Sequence, residues 1–186
     1  EKRKDLLTTL SFPRQQRFQG KGNPNLSLSD FIAPEEKKIK DYIGAFAVTS
    51  GLGVEEACSS FEKNNDDYSS IMLKALADRL AESLAEYVHE KVRKEYWGYS
   101  REEELSNEQL IKEKYIGIRP APGYPSFPDH SENIQLFSLL DAENKANISL
   151  TENFAMLPAA SVSGWYLSHI ESKYFGLGKI TDEQIK

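Results

Sequence analysis

The sequence predicts an α+β fold with a mainly antiparallel sheet and segregated helices, including one long amphipathic helix. A periodic helical stretch runs from Asp67 to Trp97, short strand-like segments cluster in the last third of the chain, and the two kinds of segment do not alternate. Alternation would have pointed to a doubly wound parallel sheet.

Taken in order, residues 1–40 are polar and broken by Pro13, Gly20, Gly22, Pro24 and Pro34, so they read as an irregular wrapping segment within a single domain spanning 1–186. Lys37, Lys38 and Lys40 read as a solvated edge. Tyr42 to Val48, closed by Thr49-Ser50-Gly51, reads as a strand buried on both faces. In the long helix Leu73, Leu76, Leu80, Leu84, Val88, Val92 and Tyr96 recur every three to four residues, Asp66 or Asp67 can cap the start, and Gly98 suits the C′ position. Ser106 and Gln109 form a capping box opening a helix from about Asn107 to Tyr115 that ends at Gly117. Ser131 opens a third helix carrying Ile134, Phe137, Leu139 and Leu140, until Asn144 and Asn147 break the pattern. Ile148 to Leu150, Phe154 to Met156, Ser161 to Ser168 and Lys173 to Lys179 read as strands punctuated by Pro158, Gly164 and Gly176.

The length of 186 residues suits one domain, while the start at Glu1 without methionine and the charged end from Thr181 to Lys186 suggest a piece of something longer. A net charge of -6 argues against a nucleic-acid partner, which needs a concentrated basic surface. The single cysteine, Cys58, builds no disulfide framework and no metal-ligand spacing, so it reads as a small core residue in a reducing cytosol. No apolar stretch approaches the length of a membrane span, and the localisation expected is cytoplasmic.

No GxSxG, HExxH, P-loop or dinucleotide glycine fingerprint occurs, and His89, His130 and His169 are scattered without metal-type partners. Asp78, Glu82, Glu86 and Glu90 recur at i, i+4 on the long helix, where like charges repel unless something offsets them. Lys74, Arg79, Arg93 and Lys94 can do so on a solvated face; alternatively the N-terminal half of the stripe lines a groove, with Asp78 and Glu82 as contacts. In Arg119-Pro-Ala-Pro-Gly-Tyr-Pro125 three prolines fix φ and Gly123 permits a backbone turn closed to other residues. This stiff loop carries a planar fork suited to a carboxylate at Arg119 and an aromatic face with a hydroxyl at Tyr124. It is a structural crossover, a groove-binding proline segment or one wall of a small-molecule clamp.

DYIGAFAV at 41–48, DDY at 66–68, KALADRLAE at 74–82, YWGY at 96–99, LSNEQLI at 105–111, GIRPAPGYP at 117–125 and ASVSGWY at 160–166 resemble, in order, the C-terminal activation domain of cobalamin-dependent methionine synthases. That resemblance implies a C-shaped α+β domain that binds S-adenosylmethionine through Arg119, Gly123 and Tyr124, with Arg119 on the methionine carboxylate and backbone around Ala121 to Tyr124 on the adenosine. It places Tyr174 and Phe175 near the sulfonium, Glu82 and Glu113 near the ligand, and Asp78 against the cobalamin domain, with no catalytic and no metal-binding residue. The implied function is reactivation in methionine biosynthesis: the methyltransferase's cobalamin, held by another domain, is reduced from cob(II)alamin by flavodoxin or a flavoprotein reductase and methylated from S-adenosylmethionine. By the same resemblance, an N-terminal portion with an aspartate for the ligand's amino group would precede Glu1, so the isolated chain is not expected to be catalytic alone. The runner-up is an interaction-only domain that docks a cobalamin or reductase partner without ligand. Lys91, Arg93 and Lys94 are the candidate basic surface for an acidic flavodoxin.

Overall fold

Two strands distant in sequence form the spine of the molecule: β1 (Gly44–Thr49) pairs antiparallel with β4 (Ser161–Tyr166), Gly44 opposite Tyr166 and Thr49 opposite Ser161. The computed structural model describes residues 5–16 and 19–179; the charged end from Thr181 to Lys186 lies outside them. A second antiparallel pair is a short hairpin of β2 (Ser149–Leu150) and β3 (Met156–Leu157). Helices α1 (Val54–Lys63), α2 (Asp67–Lys91), α3 (Asn107–Ile111), α4 (Asn133–Leu140) and α5 (Ala142–Ala146) complete the α+β architecture.

Helix α2 covers one face of the β1–β4 pair, while α4 and α5 lie against β1 from the other side. Both faces of β1 are therefore packed, as expected, but the strand starts at Gly44, Tyr42 and Ile43 before it are exposed, and Phe46 is the one buried residue in it, because a sheet of two strands covers little surface. The larger core joins Trp165 and Leu167 to Ile118, Phe127, Leu136, Phe137 and Ile148. Leu28 and Phe31, from a short 3-10 turn in the first forty residues, complete it, with Leu10 and Phe12 packed alongside.

The long helix differs from its sequence reading in which side faces inward. Ala77, Ala81, Ala85 and His89 are buried, whereas Leu76 and Leu80 are 54% and 61% exposed. Alanine lets the helix approach the strands closely, as Ala85 does against Phe46 and Tyr166, while Leu76 and Leu80 face away. Asp66 caps the start by accepting from Ser69 N. The helix runs on through a π turn, Val92–Tyr96, in which Trp97 N donates to Val92 O, and ends at Gly98 with φ +71.

Other boundaries moved for local reasons. Helix α3 carries the expected capping box, Ser106 with Gln109, but stops at Ile111, with Glu113 in the left-handed region. Helix α1 was not anticipated: Gly53 stands at its N-cap without a side-chain cap, and Cys58 is the single buried residue it contributes. The segment Lys173–Lys179 forms no strand; Leu177 donates to Pro125 O and accepts from Gln16 N, joining two different segments instead of a ladder. Arg93 has no exposed surface, Lys91 pairs with Glu95 and Lys94 with Glu90, so Arg93 cannot belong to a docking surface. No helix among the described residues is long and apolar enough to cross a membrane.

Candidate functional site

The loop from Arg119 to Pro125 is fastened to β4 and the residue after it at its N-terminal end and to Leu177 at its C-terminal end. Ile118 and Leu167 exchange backbone hydrogen bonds, and Trp165 N donates to Pro120 O at 2.9 Å. Gly164 permits this approach, since a Cβ there would lie 2.8 Å from the Pro120 carbonyl oxygen and 3.0 Å from the Phe46 ring. The loop then closes on itself, Gly123 N donating to Phe127 O and Phe127 N to Tyr124 O. Gly123 has φ +94, and a Cβ there would overlap the His130 ring, so both backbone and space restrict the position to glycine. The stiffness read from the prolines is thus reinforced by tertiary hydrogen bonds.

This loop forms one wall of a cleft of about 510 Å³, within the range of small-molecule sites. Of the residues singled out from sequence, Glu82, Glu113, Arg119, Ala121, Tyr124, Tyr174 and Phe175 line it. Gly123 shapes the loop without lining the cleft, and Asp78 is exposed on α2 one turn before Glu82. The lining also includes Phe46, Pro120, Pro125 and Val162, an apolar wall that sequence reasoning did not assign. The cleft therefore combines flat apolar and aromatic surface with one guanidinium and two carboxylates.

Arg119 does not point freely into this space. Its Nη2 pairs with Glu86 Oε2 at 2.7 Å, and its Nη1 lies 3.1 Å from both Tyr115 Oη and His89 Nδ1. Its backbone N donates to Tyr174 Oη at 3.0 Å, tying the aromatic residue at the far end of the chain to the head of the loop. Burial opposes the guanidinium charge, but Tyr115, Glu86 and Tyr174 outweigh it, so the Arg119 pKa is raised. Burial also pushes Tyr115 up to about 12. Behind this group Arg93 is completely buried, gripped by Glu103 through Nε and Nη2 at 2.8–3.0 Å and set 4.2 Å from the centre of the Tyr115 ring. Glu86 thus stands between two arginines, with Arg93 Nη1 4.0 Å from its Oε1. Glu86 belongs to the acidic stripe visible in the sequence, whereas nothing in the spacing of His89 or Tyr115 marked them.

His89 is buried and stacked on Tyr166, with ring centroids 5.0 Å apart. Burial first, then Arg93 and Arg119, lower its pKa from 6.5 to about 2. Between those values the unfolded chain binds a proton that the folded protein refuses, so stability falls as pH drops below 6.5. From pH 7 to pH 5 this residue alone is expected to remove roughly 2 kcal/mol. Urea unfolding at both pH values checks this, and His89→Gln is expected to flatten that part of the profile.

The sequence model of the family described as vitamin B12 dependent methionine synthase, activation domain, matches residues 1–186. A solved structure described as the MetH reactivation domain bound to AdoHcy superposes with a TM-score of 0.95 at 52% identity, over 98% of this chain and 56% of that one. This chain thus spans little more than half the length of that solved chain. With the match covering every residue, the chain belongs to the vitamin B12-dependent methionine synthase activation-domain family.

Proposed function

We propose that this chain is part of an S-adenosylmethionine-binding reactivation module and that the cleft behind the Arg119–Pro125 loop holds the ligand. The observation that carries the reading is the convergence of Arg119, Tyr124, Tyr174, Phe175, Glu82 and Glu113 on one cleft, in a chain 52% identical to a domain solved with AdoHcy. The residues suit a zwitterionic sulfonium nucleoside. Arg119 Nη1 and Nη2 are engaged by its own chain, which leaves Nε–H and one Nη2–H of the fork for the methionine carboxylate. The apolar wall and backbone around Ala121 to Tyr124 receive the adenosine, the rings of Tyr174 and Phe175 favour the sulfonium, and Glu82 and Glu113 supply compensating negative charge.

In this reading the module contributes positioning, holding the sulfonium methyl where the transfer occurs and lowering the entropic cost of encounter. Cobalamin would be held by another domain, which Asp78 would help to meet, and would supply the methyl acceptor once an electron from flavodoxin or a flavoprotein reductase had reduced it; this chain would hold S-adenosylmethionine and keep the S-adenosylhomocysteine left after transfer. No residue of this chain is required as a general base, because the methyl leaves a sulfonium and no proton is removed.

Calorimetric titration of the full-length protein with S-adenosylmethionine tests the reading. Arg119→Ala is expected to weaken binding about 10- to 100-fold, the worth of a hydrogen bond to a charged group. Absence of binding to the unmodified protein would contradict the ligand assignment, and undiminished binding by Arg119→Ala would remove only the carboxylate role.

A further inference from the structure

We propose that His89, Tyr115 and Glu86 are positioning residues that preset the Arg119 fork, so that selectivity for a ligand carboxylate resides partly in side chains that do not line the cleft. The proposal rests on the Arg119 role given above.

The hydrogen-bonding logic fixes each partner. A guanidinium only donates, so His89 Nδ1, 3.1 Å from Arg119 Nη1, must present its lone pair. The neutral ring then carries its hydrogen on Nε2, which faces Tyr99 Oη at 3.4 Å. Protonation would abolish the acceptor and place a third positive charge beside Arg93 and Arg119; burial and those two charges keep the ring neutral. Tyr115 Oη accepts from the same Nη1, and Glu86 Oε2 holds Nη2. Guanidinium rotation is therefore restrained at both terminal nitrogens.

The restraining side chains are themselves immobilised. The His89 ring lies between Tyr166, stacked at 21°, and Tyr115, edge-on at 78°. Tyr115 is backed in turn by the buried Arg93, which Glu103 locks with three hydrogen bonds. Arg93 and Arg119 balance Glu86 and Glu103 in formal charge, so the cluster needs no further ion to be neutral. A fork held in this way meets a carboxylate with little ordering entropy left to lose.

The test compares two ligands on the full-length protein by calorimetry: S-adenosylhomocysteine and its decarboxylated analogue. The unmodified protein is expected to prefer the carboxylate-bearing ligand by about tenfold or more. His89→Phe keeps a stacking ring but removes the acceptor; it is expected to lower that preference about fivefold or more while leaving affinity for the decarboxylated analogue unchanged. His89→Gln, with an acceptor and a donor, is expected to restore it. An unchanged preference, or an equal loss for both ligands, overturns the proposal, the latter because it marks a purely structural role. Should His89→Phe fail to fold, Tyr115→Phe, which deletes one hydroxyl, decides by the same two-ligand comparison. If the unmodified protein itself shows no preference, the carboxylate role of Arg119 fails first, and that outcome is separable because it appears before any substitution.

Discussion

Replacing Glu103 with alanine is expected to cost about 3–5 kcal/mol of folding stability, because it leaves a buried arginine without its counter-charge. Arg93 has no exposed surface, and the Glu103 side chain is 6% exposed. After the substitution the nearest carboxylate to Arg93 would be Glu86, at 4.0 Å and already engaged with Arg119. The unpaired guanidinium must then draw Glu86 away from Arg119 or admit water, and either response disturbs the floor beneath Tyr115. Urea unfolding measures the loss, and a cost below about 1 kcal/mol would mean that the pair is as weak as a surface salt bridge. Replacing both partners with apolar residues of similar volume, Arg93→Met with Glu103→Leu, is expected to cost much less than the single change, since a desolvated ion pair and a packed apolar pair are often close in free energy.

Phe127→Ala is expected to cost a comparable amount, about 3–5 kcal/mol, as loss of buried apolar surface and creation of a cavity add together. Phe127 has no exposed surface, its ring packs 5.0 Å from Phe12, and it belongs to the main core with Trp165 and Leu136. Its backbone also closes the Arg119–Pro125 loop, accepting from Gly123 N and donating to Tyr124 O. A cavity beneath that turn therefore loosens Tyr124 as well as the core. Unfolding at equilibrium and a ligand titration on the same sample check both effects, and a large stability loss with unchanged affinity would show that backbone hydrogen bonds fix the loop without the Phe127 ring.

The elements that carry a local signal were legible in the sequence, and those decided by distant neighbours were not. The capping box of Ser106 and Gln109, the Asp66 cap and the Gly98 stop are written in a few adjacent residues and stand as expected. The inward face of α2 was legible only in part: Val92 of the apolar stripe packs on the core, but Leu76 and Leu80 do not, because closeness to Phe46 and Tyr166 selects alanine there. Lys173–Lys179 has strand-like composition but no partner strand, so its backbone serves two separate segments. In the site, the Arg119–Pro125 loop stood out because proline and glycine state their conformational effects directly. The hold of His89 and Tyr115 on Arg119 depends on where α2 crosses the chain after α3, which no spacing in the sequence encodes.

The central claim is that one cleft, walled by the Arg119–Pro125 loop, receives S-adenosylmethionine. A crystal structure of the protein grown with S-adenosylhomocysteine tests this most directly. The account predicts the ligand carboxylate on the outer edge of the Arg119 fork, the sulfur beside Tyr174 and Phe175, and the adenosine along Ala121 to Tyr124. A ligand bound elsewhere, or bound in this cleft with its carboxylate turned away from Arg119, would contradict it.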